Sequence, residues 1–100
     1  MARGNRTDAQ RRRLAADAAA RHFRAAVLRR DGFRCVYCGT GLKRLRLDHD
    51  LPVSRGGLDT MQNFVAACED CDERKGQMTG AEFRALPRSP DWKENPGSRP

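Results

Sequence analysis

Two cysteine pairs, Cys35-Val36-Tyr37-Cys38 and Cys68-Glu69-Asp70-Cys71, decide how this 100-residue chain folds. The Cys-x-x-Cys spacing is typical of zinc knuckles, in which a tight turn directs both sulfurs to one point, and two pairs supply four thiolates for a tetrahedral ion. Disulfides are the competing interpretation, but the first residues contain no apolar stretch of an export signal. We therefore predict a closed, structural zinc site formed by Cys35, Cys38, Cys68 and Cys71.

The composition agrees with the need for a stabilising ion. Thirteen of the apolar residues are alanine, and a chain this short buries only a modest core. No segment approaches the ~20 consecutive apolar residues that span a bilayer. We expect a single small cytoplasmic protein with no membrane partner.

The residues around the cysteine pairs predict a small α+β fold. Leucines alternate with charged residues over 42–51, which is typical of a half-buried strand, and residues 64–67 predict a second short strand. A charged helix is expected over 68–77, and Thr79-Gly80-Ala81-Glu82 has the spacing of a capping box that opens a C-terminal helix ending before Pro87. The predicted core residues are Phe33, Tyr37, Leu45, Leu47, Leu51, Phe64 and Val65.

The first third of the chain predicts a long basic helix. Thr7 and Gln10 have capping-box spacing, so the helix begins near Asp8, and Asp31-Gly32 ends it. The formal net charge is +7, and the whole excess lies in residues 1–34, which hold ten arginines and three aspartates. Such a concentration of guanidinium groups suits the phosphate backbone of DNA. Codon usage in a GC-rich genome explains the preference for arginine over lysine equally well, but not its position. The candidate DNA-binding residues are Arg11, Arg12, Arg13, Arg21, Arg24, Arg55, Arg74 and Lys75.

A further group of polar side chains lies between and just after the cysteine pairs. Asp48, on the first predicted strand, and Asp72, at the start of the following helix, offer oxygen ligands to a hard cation such as Mg²⁺ or Mn²⁺. His49 supplies an imidazole, a group that accepts protons near neutral pH. Hydrolysis of a phosphodiester needs an activated water and charge stabilisation on the phosphoryl oxygens, which these residue types provide.

Together these segments resemble the HNH endonuclease family in its zinc-bearing form. The resemblance runs from about Val27 to Gly76 and is carried, in the family's order, by the two cysteine pairs, Asp48-His49-Asp50-Leu51-Pro52, Gly56-Gly57, Asn63 and Cys71-Asp72-Glu73-Arg74-Lys75. It implies a ββα-metal fold and a DNA substrate, cleaved to leave a 5′-phosphate and a 3′-hydroxyl. It also implies that His49 is the general base, that Asp48 and Asp72 hold the catalytic metal, and that Asn63 fixes the intervening loop.

Two positions depart from the family pattern. Asp72 stands where the family usually has His or Asn, and an aspartate favours hard ions over softer ones. Asp50 stands where an aliphatic residue is common, and we expect a metal ligand, a partner for an arginine or a solvated side chain. Because side chains alternate along a strand, Asp48 and His49 would face opposite ways, so a bulge or a strand end must turn His49 to the phosphate.

The chain is expected to have three parts: a basic helical arm over 1–26, a nuclease domain over 27–86 and a proline-rich tail over 87–100. His22 is interpreted as a solvated bystander, and Trp92 has no assignment. Two other functions stay open: a DNA-binding or adaptor module with an inactive HNH centre, and a structural zinc domain in a larger assembly such as a phage packaging complex. A homodimer or a larger nucleoprotein assembly is compatible with the sequence.

Overall fold

The computed structural model describes residues 6–87, and these form an α+β fold, as predicted. Among the described residues, helix α1 is followed by two strands and then by two short helices. The bounds are α1 Asp8–Arg30, β1 Leu45–His49, β2 Phe64–Cys68, α2 Glu69–Lys75 and α3 Gly80–Ala85. Two 3-10 turns, Val53–Arg55 and Met61–Asn63, lie in the connection between the strands.

Both predicted capping boxes are present, one at the start of α1 and one at the start of α3. Thr7 Oγ1 accepts from the Gln10 N–H, and the Gln10 side chain accepts from the Thr7 N–H. Thr79 and Glu82 make the same pair of bonds at α3. These reciprocal bonds satisfy N–H groups that have no partner within the helix, so both starts agree with the sequence prediction.

Helix α1 docks on the strands through its C-terminal half, and its N-terminal half is exposed. Val27 is its buried residue. The Asp31 carboxylate, just beyond the helix, accepts from the Ala66 N–H at 2.9 Å and from Arg30 Nε at 2.8 Å. Arg30 also donates to the Met61 carbonyl at 3.0 Å. The helix is therefore attached to β2 largely by polar bonds, and it is continuous across residue 26, where the sequence predicted a boundary.

The two strands pair antiparallel, with Leu45 opposite Cys68 and His49 opposite Phe64. β1 is shorter than the predicted 42–51 because the chain bends before Leu45, which leaves Leu42 94% exposed. β2 is buried along most of its length. This register places the cysteine end of β2 beside the start of β1, and the His49 end of β1 beside Phe64.

The core lies around the four cysteines, with Tyr37, Ala67 and Phe83. The prediction was wrong for Phe33, which is 57% exposed, and for Leu51, which is exposed as well. Phe33 lies in the turn that ends α1, where both it and Gly32 have positive φ, and Leu51 follows the end of β1. Neither residue lies in a helix or strand, so neither is covered by the packing of such elements against each other.

Within residues 6–87, no helix combines the length and the hydrophobicity needed to cross a bilayer. Most of the predicted tail, with Trp92, lies outside the described residues.

Candidate functional site

The four cysteines form one buried cluster at the Cys68 end of β2. Their sulfur atoms all lie within 4.8 Å of one another, and Cys38 Sγ is 3.7 Å from Cys68 Sγ. A tetrahedral ion with Zn–S bonds of ~2.3 Å holds its sulfurs about 3.8 Å apart, so this separation fits a shared ion and is too long for a disulfide. The cluster can hold a structural metal ion such as zinc.

The close packing of the cysteines also shifts the pKa values of three thiols. The Cys71 thiol and nearby backbone N–H groups stabilise the Cys35 thiolate and lower its pKa to about 4. Burial raises the pKa of Cys38 to about 11, and the hydrogen bond to Cys35 raises the pKa of Cys71. Four thiolates with sulfurs within 4.8 Å of one another would repel, so a cation at their centre, of the kind that prefers soft ligands, would stabilise them.

A second site is a polar cleft of about 560 Å³ at the opposite end of the strands. Asp48 and His49 reach it from the end of β1, and Asp72 reaches it from the first turn of α2. Arg13 of α1 and Lys75 also line it. His49 is the last residue of β1 and pairs with Phe64, and it lines the cleft together with Asp48.

Each of the two cleft carboxylates has a cationic neighbour. Lys75 Nζ lies 3.0 Å from Asp48 Oδ2, and Arg46 donates to Asp72 Oδ2 at 3.0 Å. Burial raises the pKa of Asp48 to about 6; Lys75 opposes this shift, and the negative charge of the neighbouring Asp72 adds to it. A divalent cation would stabilise the ionised form of Asp48 beside the negative charge of Asp72.

Lys75, which the sequence offered as a DNA-binding residue, is instead buried and is not available to bind DNA. Its side chain is 1% exposed, and Nζ also donates to the His49 carbonyl at 2.7 Å. Helical periodicity places Lys75 next to Cys71, so it faces β1 together with the cysteine cluster. Its ammonium therefore joins α2 to the end of β1.

The imidazole of His49 is held at two points. Nε2 lies 2.8 Å from Asp59 Oδ1, and the ring lies against Phe64 with centroids 4.7 Å apart. Asp59 was absent from our sequence-based candidates. A usable signal did exist, because Asp59 is the single acidic residue between Asp50 and Asn63, but only the fold brings it to His49.

Asn63 closes the loop between the strands with its amide. Its Oδ1 accepts from the Leu51 N–H at 2.9 Å, and its Nδ2 donates to the carbonyls of Leu51 and Leu58 at 2.9 and 3.0 Å. Gly57 packs beneath this amide, where a Cβ atom would overlap the Leu51 carbonyl and lie 2.9 Å from Asn63 Nδ2. A glycine is therefore required at position 57, because the Leu51 carbonyl and the Asn63 amide approach its backbone too closely for a side chain.

Asp50 does not line the cleft. Its N–H donates to the Asn63 carbonyl at 2.8 Å, and its carbonyl accepts from the Gly80 N–H at 3.0 Å. The Asp50 carboxylate packs against Gly80, on the side of the strand end where Tyr37 lies. The backbone of Asp50 therefore attaches α3 to the sheet.

Three of the predicted DNA-binding arginines already form a hydrogen bond or an ion pair within the protein. Arg11 pairs with Asp8 at 3.2 Å, Arg24 donates to the Leu45 carbonyl at 3.2 Å, and Arg55 forms an ion pair with Glu82. Arg12 and Arg13 line a neighbouring cleft on α1, and Arg13 lines the carboxylate cleft as well. Arg21 and Arg74 are exposed.

Comparison with known proteins supports the motif-based expectation. Residues 35–86 match the model of a family described as HNH endonuclease, and this match spans both cysteine pairs, the two strands, α2 and α3. No curated protein matches the chain. Because the family model covers half of the sequence, the chain belongs to the HNH endonuclease family.

Proposed function

We propose that this protein is a metal-dependent DNA endonuclease that hydrolyses phosphodiester bonds, by nicking or by double-strand cleavage. The observation that carries the proposal is the carboxylate cleft, which gathers Asp48, His49 and Asp72 from separate parts of the chain. HNH nuclease domains generally bind DNA. A cationic side chain, Arg13, also faces the cleft.

Asp48 and Asp72 would hold the catalytic divalent ion, Mg²⁺ or Mn²⁺, through their oxygens. When bound, such an ion neutralises charge on the phosphoryl oxygens and assists the departing 3′ oxygen. The fit rests on the donor chemistry: two close carboxylates in an open, polar cleft leave space for water and phosphate. The counter-charges of Lys75 and Arg46 keep the two carboxylates in place before the substrate arrives.

His49 would act as the general base. An ionised Asp59 can only accept a hydrogen bond, so we assign the imidazole proton to Nε2 and leave Nδ1 free to take a proton from water. The contact with Phe64 fixes the plane of the ring. Asn63 would serve this chemistry indirectly, because its amide holds both ends of the loop that carries Asp59.

The structural ion is proposed to be zinc, bound by Cys35, Cys38, Cys68 and Cys71. Zinc favours four thiolates at tetrahedral corners, and such a closed site has no position for substrate. Its role would be to hold the knuckle over 35–38 against the end of β2 and the start of α2. We further propose that residues 1–26 form a DNA-binding arm and residues 27–86 the nuclease domain.

A second candidate is a DNA-binding adaptor whose HNH centre no longer cuts, for example in a phage packaging complex. The observation that favours it is that each cleft carboxylate already has an internal cation, Lys75 for Asp48 and Arg46 for Asp72. A site that is neutralised from within has less need for a divalent ion.

Cleavage of supercoiled plasmid separates the two candidates. The zinc-loaded protein is incubated with and without Mg²⁺ or Mn²⁺, alongside the variants H49A and H22A. His22 is a matched control, because it is the other histidine of the chain and lies on the exposed face of α1. Metal-dependent nicking that H49A abolishes and H22A retains supports the endonuclease, whereas DNA binding without nicking in either metal supports the adaptor.

A further inference from the structure

The carboxylate cleft does not end at Arg13. A second cleft of about 720 Å³ lies between the first half of α1 and the 3-10 turn Val53–Arg55. The two clefts share Arg13, Val53 and Ser54. They therefore form one continuous groove, with α1 as one wall and the loop after β1 as the other.

The groove changes chemically along its length. In the part along α1, the charged lining residues are Arg12 and Arg13. Ala9 and Ala16 line the same part, and their small side chains do not fill it. Carboxylates line only the far end, where Asp48, Asp72 and Glu73 lie. A polyanion would meet cations first and the proposed metal ligands last.

Arg12 and Arg13 also differ from three of the other candidate arginines, because their guanidinium groups have no partner among the described residues. Within residues 6–87, no hydrogen bond or ion pair occupies either guanidinium, whereas Arg11, Arg24 and Arg55 each have a partner in the protein. A free guanidinium can grip a phosphate through two parallel hydrogen bonds without breaking an existing pair.

We propose that α1 and the 53–55 turn enclose a groove for one DNA strand, in which Arg13 contacts the scissile phosphate and Arg12 the neighbouring one. This inference rests on the proposed endonuclease function and deepens it. Helix α1 lies before the residues that match the family model, and the 53–55 turn lies within them. Arg13 would be a catalytic residue, because it neutralises the phosphoryl oxygens while charge develops on them.

Charge-matched variants of α1 test the two roles. R11A, R12A and R13A each remove one guanidinium, and DNA affinity is measured beside the single-turnover cleavage rate at saturating DNA and metal. We expect R13A to slow cleavage at least ~10-fold while losing no more affinity than R11A. R12A is expected to weaken DNA binding more than R11A does, because Arg11 is already paired with Asp8. Equal losses of affinity in all three variants, with no change in rate, would overturn the assignment of Arg13.

If the wild-type protein does not cleave DNA, the proposed endonuclease function is refuted but the groove is not. A binding experiment then tests the groove by itself. Ala16→Trp fills the groove without changing the charge, and Ala18→Trp adds the same bulk on another, exposed face of α1. With a fluorescein-labelled oligonucleotide as the probe, A16W should bind at least ~10-fold more weakly than A18W, because the strand path is blocked. Equal affinities would refute the groove.

Discussion

Replacing Lys75 by methionine should destabilise the protein far more than the same replacement at Lys43. Lys75 is 1% exposed and its partner Asp48 is 12% exposed, so methionine fills the same space but leaves a carboxylate buried without its counter-charge. Breaking a buried pair on one side costs about 3–5 kcal/mol of unfolding free energy. Lys43 and its partner Asp70 are more than half exposed, and such a surface pair is worth about 0–1 kcal/mol.

The assay is denaturant unfolding of the zinc-loaded protein, followed by far-ultraviolet circular dichroism. Asp48→Asn combined with Lys75→Met should recover most of the loss, because neither charge then remains buried. Lys75 lowers the pKa of Asp48 from the value that burial alone would give, so its removal raises that pKa further.

The penalty for Lys75→Met should therefore depend on pH. A carboxylate whose folded-state pKa lies above its unfolded-state value costs nothing below the unfolded pKa, and its penalty grows as the pH rises through the folded pKa. We expect the variant to lose more stability near pH 8 than near pH 5. A Lys75→Met protein that unfolds within about 1 kcal/mol of the wild type would refute the buried pair as a source of stability.

Three other changes probe the remaining parts of the molecule. Cys68→Ser should unfold the domain even in excess zinc, because ion binding supplies folding free energy; circular dichroism that still shows the native fold would contradict the metal centre. Gly57→Ala should cost about 1–3 kcal/mol in denaturant melts, since its Cβ would overlap the Leu51 carbonyl, whereas at Gly41 an added Cβ meets nothing closer than 3.4 Å. Asp59→Asn should slow single-turnover cleavage at least ~10-fold by disturbing the His49 tautomer, with Asp17→Asn on α1 as the control, and an unchanged rate would exclude Asp59 from catalysis.

The parts of this molecule that could be predicted from the sequence are those governed by local signals. The bounds of α1 followed from Thr7 and Asp31, and the metal cluster followed from cysteine spacing, because each depends on residues a few positions apart. The burial of Lys75 depends instead on how closely α2 approaches the end of β1, and hydrophobic periodicity assigns a lysine to the exterior. Asp59 is similar, since only the closure of the loop by Asn63 brings its carboxylate to His49.

The cysteine cluster and the carboxylate cleft are mechanically linked through β2 and α2. β2 runs from Phe64, which packs against the His49 ring, to Cys68, so its five residues span only about 13 Å from one centre to the other. α2 repeats the connection, because Cys71 of the cluster immediately precedes Asp72 of the cleft. A domain with so small a core has little apolar packing with which to hold catalytic groups in place. An ion at the cysteines fixes one end of both elements, and the positions of Asp72 and His49 follow from that constraint.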